Sequence, residues 1–276
     1  MWAKRMKTVK ARSALVCVSI IIVGLMFTGQ GFTKIDPEAV IGVWLLDEGK
    51  GDTARDFSGN GHDGKIHGNI KWVDGKFKNA LEFDGQSTYI EVPHSEALNP
   101  PEFTICLWVK PYRLANSKLF GKGDIIGGGL GVSGYLLGMS DSGGVYPEVN
   151  DVSKSANFQF AQGSSPSDEW SHFALTYSME DKTLIGYING QEVGRTMHNG
   201  KPVATSEEPL IIGVAPWDKS SFPLEGVMDE IGFFSTPLKQ EEIQDIMNKG
   251  LEEVVVPSVV LLSRKLATTW ATIKAR

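Results

Sequence analysis

Thr183-Leu184-Ile185-Gly186-Tyr187-Ile188-Asn189-Gly190-Gln191-Glu192-Val193-Gly194-Arg195-Thr196 decides how the rest of the chain is read. An apolar run enters Asn189-Gly190 and a second run leaves it. Asn-Gly supplies the two positive-φ residues of a type I′ turn, so the stretch predicts a tight antiparallel hairpin. Working outward, residues 170–177 alternate in the same way. In 103–110, Phe103, Ile105, Leu107 and Val109 share one face while Cys106 and Trp108 occupy the other, as a strand buried on both faces would. Further short strands are expected at 40–46, 80–85, 89–92, 118–122, 134–139, 209–214 and 224–234, with a glycine-rich loop at 124–133. Short strands with turn signals between them predict an all-β, two-sheet antiparallel sandwich of jelly-roll type. One short C-terminal helix is expected: Thr236 as N-cap, Pro237 at the first position, an apolar stripe of Leu238, Ile243, Ile246 and Met247, and Gly250 as the stop.

The ends read differently. Lys4, Arg5, Lys7, Lys10 and Arg12 precede an apolar run at 14–27, and Thr28-Gly29-Gln30-Gly31 follow. This is the pattern of a secretory signal peptide over residues 1–31. The run is shorter than the roughly 20 residues of a membrane span, so no transmembrane span is expected in the mature chain. The domain is expected at 36–250. A basic, aromatic tail at 251–276 ends the chain, with Trp270 and Ile273 among its basic residues.

Of 276 residues, 41% are hydrophobic and 22% charged, enough for a sizeable core. Without the leader's five bases, 22 basic residues face 33 acidic ones, a net charge of −11. An acidic exported domain is a poor partner for nucleic acid, which is gripped through Lys and Arg. Cys106 alone remains after cleavage, so no intrachain disulfide can staple the fold and the residue is expected to pack as a small apolar group.

Two acidic, glycine-flanked segments stand at opposite ends of the strand series. The first runs from Trp44 through Asp47-Glu48-Gly49 to Asp56-Phe57-Ser58-Gly59-Asn60-Gly61. The second is Gly226-Val227-Met228-Asp229-Glu230-Ile231-Gly232. If first strand meets last, they form a seam. Calcium takes six to eight oxygens, and Glu48, Asp56, Asn60 and Asp229 offer that chemistry. The same residues could instead cap turns through side-chain-to-backbone bonds. Catalysis is not expected. A retaining glycosidase needs carboxyls about 5 Å apart, and strand alternation places Asp229 and Glu230 on opposite faces. No nucleophile elbow or phosphate-cradling glycine pattern is present, and His172 is read as packing. Sugar binding needs exposed aromatics beside polar groups. Trp217, Asp218, Tyr146 and Phe222 fit, each placed in an expected loop, although Trp217 could equally cover the sandwich edge.

The order of these motifs resembles the laminin-G-like (pentraxin-like) domains of the concanavalin A-like lectin/glucanase superfamily, of the bacterial secreted type. The residues that carry the likeness are Trp44, Asp47-Glu48-Gly49, Asp56 to Gly61, Gly64, Ala80 to Gly85 and Phe103-Thr104-Ile105 with Trp108-Val109. Trp170, His172-Phe173-Ala174, Tyr187 to Gly190, Ile212-Gly213, Asp229-Glu230-Ile231 and Glu242-Ile243 complete it. The resemblance implies a two-sheet jelly roll, a calcium near the acidic loop, and a binding module more often than an enzyme. The expected protein is therefore a monomeric, noncatalytic module, secreted or periplasmic and retained at the cell surface if the tail docks there. Its expected ligand is an extracellular glycan, with a structural calcium. A surface-protein adhesion domain is the alternative, and a glycoside hydrolase the least favoured reading.

Overall fold

The computed structural model describes residues 35–124, 134–150, 155–157 (backbone alone) and 165–255. The expected leader, the centre of the glycine-rich loop and the tail from 256 lie outside the described residues.

Two antiparallel sheets face each other. The first runs in the order β14 (Gln191–Met197), β13 (Thr183–Ile188), β12 (Ser171–Ser178), β7 (Phe103–Pro111), β16 (Glu225–Phe234), β5 (Asn79–Asp84) and β4 (Lys71–Asp74). β1 (Val40–Trp44) also pairs with β16, from Val40↔Phe234 to Trp44↔Ile231, with a register shift between Val40 and Gly42. First strand does meet last. The second sheet runs β11 (Ser155–Asn157), β10 (Val145–Asn150), β9 (Tyr135–Met139), β8 (Ser117–Lys122), β15 (Leu210–Ile212), β6 (Tyr89–Val92), β3 (Gly64–His67) and β2 (Thr53–Ala54).

The hairpin at 183–197 forms as its turn demands. Asn189 and Gly190 take φ of 50° and 69°, the positive values a type I′ turn needs. Between the sheets lies the main core, built on Trp44, Phe83, Phe103, Phe120, Phe173 and Phe233, all fully buried. Truncating one such ring to Ala costs about 3–5 kcal/mol. A second apolar layer covers the other face of the first sheet, where Cys106, Ala174, Tyr187 and Phe234 pack under Ile243 and Ile246 of α1 (Gln240–Lys249). That layer is why 103–110 is buried on both faces.

Three expectations shift. The helix starts three residues later than the Thr236 cap predicted. Thr104 Oγ1 on β7 donates to Thr236 O and accepts from Leu238 N, both at 2.7 Å, pinning 236–238 outside the helix. Lys239 is the N-cap, its N–H donating to Glu242 Oε2 at 2.8 Å. A second helix, α2 (Leu251–Val254), follows at once and buries Leu251 in the second layer, so packed structure runs past residue 250. Tyr146, expected in a loop, lies within β10, because residues 145–150 alternate core-facing Val145 and Val149 with outward Tyr146 and Glu148.

Candidate functional site

The four oxygen donors expected at the seam do not converge. Asp56 is a turn cap. Its Oδ1 accepts from Val43 N (3.0 Å) and Ser58 N (2.8 Å), and its Oδ2 from His62 N (2.9 Å) and Ser58 Oγ (2.7 Å). Asn60 spends its side-chain amide on Val40 O and Ile41 O, at 2.8 and 3.0 Å. Glu48 Oε1 accepts from Arg55 N at 2.8 Å, while Oε2 is shielded and has no partner. Among the described residues, Glu48, Asp56 and Asp229 form no common group of metal-ligating atoms.

Asp229 is placed otherwise. On one side β16 pairs with β5 up to Met228 and with β1 from Ile231, so Asp229 and Glu230 sit where the partner changes. A register shift between Asp229 and Gly232, with Glu230 at φ 52°, interrupts the strand there. The strict alternation used to separate the two acids therefore fails. Both lie toward Asp47, Asp229 bonded to Phe77 N (2.9 Å) and Glu230 to Leu251 N. Burial pushes Asp229 up to about 8 and Glu230 up to about 7, with Asp47 adding repulsion to each.

Asp229 Oδ1 is buried without a partner. Beside it, Gly75 has no side chain. A Cβ built there would lie 2.6 Å from each of Asp229 Oδ2, Asn79 O and Phe77 O. Only glycine leaves this oxygen-lined cradle open. The single carboxylate of Asp229, with its orphaned Oδ1, and the carbonyls of Phe77 and Asn79 are oxygens of the type a hard cation takes. Asp229 keeps an unpartnered oxygen of the type calcium takes, whereas both oxygens of Asp56 are filled by hydrogen bonds.

The aromatic candidates do come together. Phe222, 41% exposed, meets half-buried Trp217 edge to face, with centroids 6.3 Å apart. The Lys118 ammonium lies 3.7 Å from the Tyr146 ring centroid and 5.0 Å from that of Phe222, joining strand and loop through cation–π contacts. Burial pushes Lys118 down to about 8, against the pull of Glu148, whose Oε1 is 3.7 Å away. Glu148 Oε2 and Asn150 Oδ1 are buried acceptors without partners. Asp218 stands apart: its oxygens accept from Ser220 N, Ser220 Oγ and Ser221 Oγ and hold its own turn. Glu148 and Asn150 escape a sequence reading because no strand is expected at 145–150, and Lys118 because nothing in the sequence marks the outward face of the expected strand at 118–122.

This face does not pair acids. Glu91, Ile211, Gly121, Leu136 and Glu148 form one row across the second sheet. Glu91 and Glu148 are four strand spacings apart, about 19 Å. Glycosidases hold their carboxyls about 5–9.5 Å apart. His172 is fully buried against Trp108, at 5.3 Å between centroids, and burial drives it down to about 3, so it stays neutral. Burial likewise pushes the Cys106 thiol up, keeping it protonated.

A two-layer antiparallel sandwich of this kind is the architecture of concanavalin A-like domains. The chain belongs to the laminin G-type family of the concanavalin A-like lectin/glucanases superfamily, whose model matches residues 84–244. Solved structures share the fold. The binding domain of Paraclostridial Mosquitocidal Protein 1 superposes with a TM-score of 0.64 at 17% identity, over 78% of this chain and 53% of that one. Domain 4 of AbnA, an extracellular arabinanase from Geobacillus stearothermophilus solved with arabinotriose, gives 0.59 at 21% identity, over 76% of this chain and 98% of that domain. A botulinum neurotoxin D/C binding domain gives 0.56 at 14%, over 78% and 53%. The chain thus spans about half the length of the toxin domains. No curated protein matches its sequence.

Proposed function

We propose that this domain is a noncatalytic module that binds extracellular glycan, with a structural calcium held at Asp229. The observation that carries the reading is the cluster on the outer face of the second sheet in which the Lys118 ammonium joins Tyr146 to Phe222 and Phe222 meets Trp217. Sugar rings stack their C–H faces on exposed aromatics, and hydroxyls donate to fixed acceptors. Glycan complexes among the fold's neighbours support it: the arabinanase domain was solved with arabinotriose. The separation of Glu91 from Glu148 supports the noncatalytic part.

Calcium would be held by Asp229 with the carbonyls of Phe77 and Asn79, and would supply charge that the buried carboxylate lacks. It would brace the point where β16 changes partner, a service a disulfide performs in other exported domains. The signal-like leader supports export to the periplasm or the cell exterior, and no described helix is long and apolar enough to cross a membrane. The domain is proposed to act as a monomer. The test is glycan binding by the full chain and by Trp217→Ala and Phe222→Ala. Both variants should bind at least about tenfold more weakly while melting as wild type does, the pattern of hot-spot aromatics. A fall in melting temperature with unchanged binding would assign the rings to packing.

A further inference from the structure

A second site lies away from that face, around β2, between the loop that enters it from β1 and the first residues that leave it. A cavity of about 430 Å³ opens there, lined by Glu48, Lys50, Asp52, Arg55 and Phe57 with Asp47. Its size is that of small-molecule sites, which span about 300–1,000 Å³. β2 is three strand spacings, about 14 Å, from β15, whose following loop carries Trp217.

The wall is fixed before any ligand arrives. Phe57 N donates to Val43 O at 2.7 Å, Arg55 N to Glu48 Oε1 at 2.8 Å, and Trp72 Nε1 to Gly51 O at 3.2 Å. Preorganised walls spare a ligand the ordering cost of binding. Two features have no use within the fold. The Phe57 ring is 37% exposed in a domain whose large apolar residues are mostly buried. Glu48 Oε2 is shielded and accepts nothing, and burial raises its carboxyl above the ordinary range.

From this geometry we infer that the cavity receives one ring of a neutral sugar, at a chain end or as a single unit. Phe57 offers the flat apolar face, the Glu48 carboxyl accepts a hydrogen bond from a sugar hydroxyl after a side-chain turn that uncovers Oε2, and Arg55 and Lys50 donate to hydroxyl oxygens. Neutrality follows from the charge pattern. The lining itself carries three carboxylates, Asp47, Glu48 and Asp52, against two cations, Lys50 and Arg55, so it has no surplus cation field to hold a uronate, sulfate or sialate. An anionic ring would also face Glu48. This rests on the glycan-binding reading and adds a site and a ligand class to it.

The test is a glycan array bearing neutral oligosaccharides beside uronate-, sulfate- and sialate-bearing ones, run with the full chain, Phe57→Ala and Glu48→Gln. Neutral glycans should bind, and both variants should lose about tenfold or more of that binding without a change in melting temperature, Glu48→Gln through the lost hydrogen bond to a charged group and Phe57→Ala through the lost aromatic contact. Met197→Ala, 65% exposed on β14, should bind as wild type. Binding lost in Trp217→Ala and unchanged in Phe57→Ala and Glu48→Gln overturns the cavity and leaves the aromatic face standing. Binding confined to anionic glycans overturns the neutral-ring assignment. A blank array overturns both.

Discussion

Asp56 and Asp229 stand at the two ends of one seam, and as residues in a sequence they look alike: each is an acid beside glycines at the edge of an apolar strand. Their surroundings separate them. Three backbone N–H groups and a hydroxyl fill both oxygens of Asp56. Asp229 has one bonded oxygen, one bare one, and a cradle of carbonyls beside it. What decides whether an acid caps a turn or holds a cation is how many N–H groups the backbone aims at it. A saturated carboxylate has nothing left to offer an ion.

The comparison can be broken at either end. The largest effect belongs to Asp56→Ala. It strands the N–H groups of Val43, Ser58 and His62 around a side chain with 0% exposure, and each unpaired buried donor costs about 1–3 kcal/mol. A loss of about 3 kcal/mol or more in denaturant unfolding is expected, with no dependence on calcium. Next comes the Asp229 end. Saturating calcium should raise the melting temperature by several degrees, since a ligand at about 100 times its Kd adds about 2.7 kcal/mol and each kcal/mol moves a domain this size by about 2–4 °C. Asp229→Asn should abolish that response and, under chelator, melt no lower than wild type.

Asp84 sharpens the rule as a third acid. Partial burial pushes its pKa up, but donors from Ser87, Thr88 and Gln86 outweigh this and hold it well below the usual carboxylate range. A depressed folded pKa contributes stability that is present above the unfolded value, near 4, and is lost as pH falls toward the folded one. Asp84→Asn should therefore flatten the acid limb of a stability–pH profile below about pH 4, leaving neutral pH the region of greatest difference. The smallest expected stability change is that of Phe222→Ala, within about 0.5 kcal/mol for an exposed ring, although its effect on glycan binding should be large.

Much of the fold was legible because local rules sufficed. Asn189-Gly190 could form few other turns, and the two-faced run around Cys106 could only be a central strand. The helix start was misread because the groups that fix it come from Thr104, more than a hundred residues earlier in the chain. The seam was legible as a meeting of first and last strands. Its chemistry was not, since the parity of Asp229 and Glu230 depends on a bulge that no single strand's pattern announces. Trp217, Phe222 and Tyr146 were found by type, and only folding joined them. Phe57 and Glu48 stand in one acidic, glycine-flanked motif, yet their shared cavity depends on Trp72 and Val43 bracing the loop.

The central claim, that this sandwich binds glycan rather than transforming it, is tested most directly by incubating the full chain with oligosaccharides taken from the array and following both bound ligand and product. The account predicts retained, uncleaved sugar, with binding weakened in Trp217→Ala. Release of shorter sugars that Glu148→Gln abolishes would contradict it.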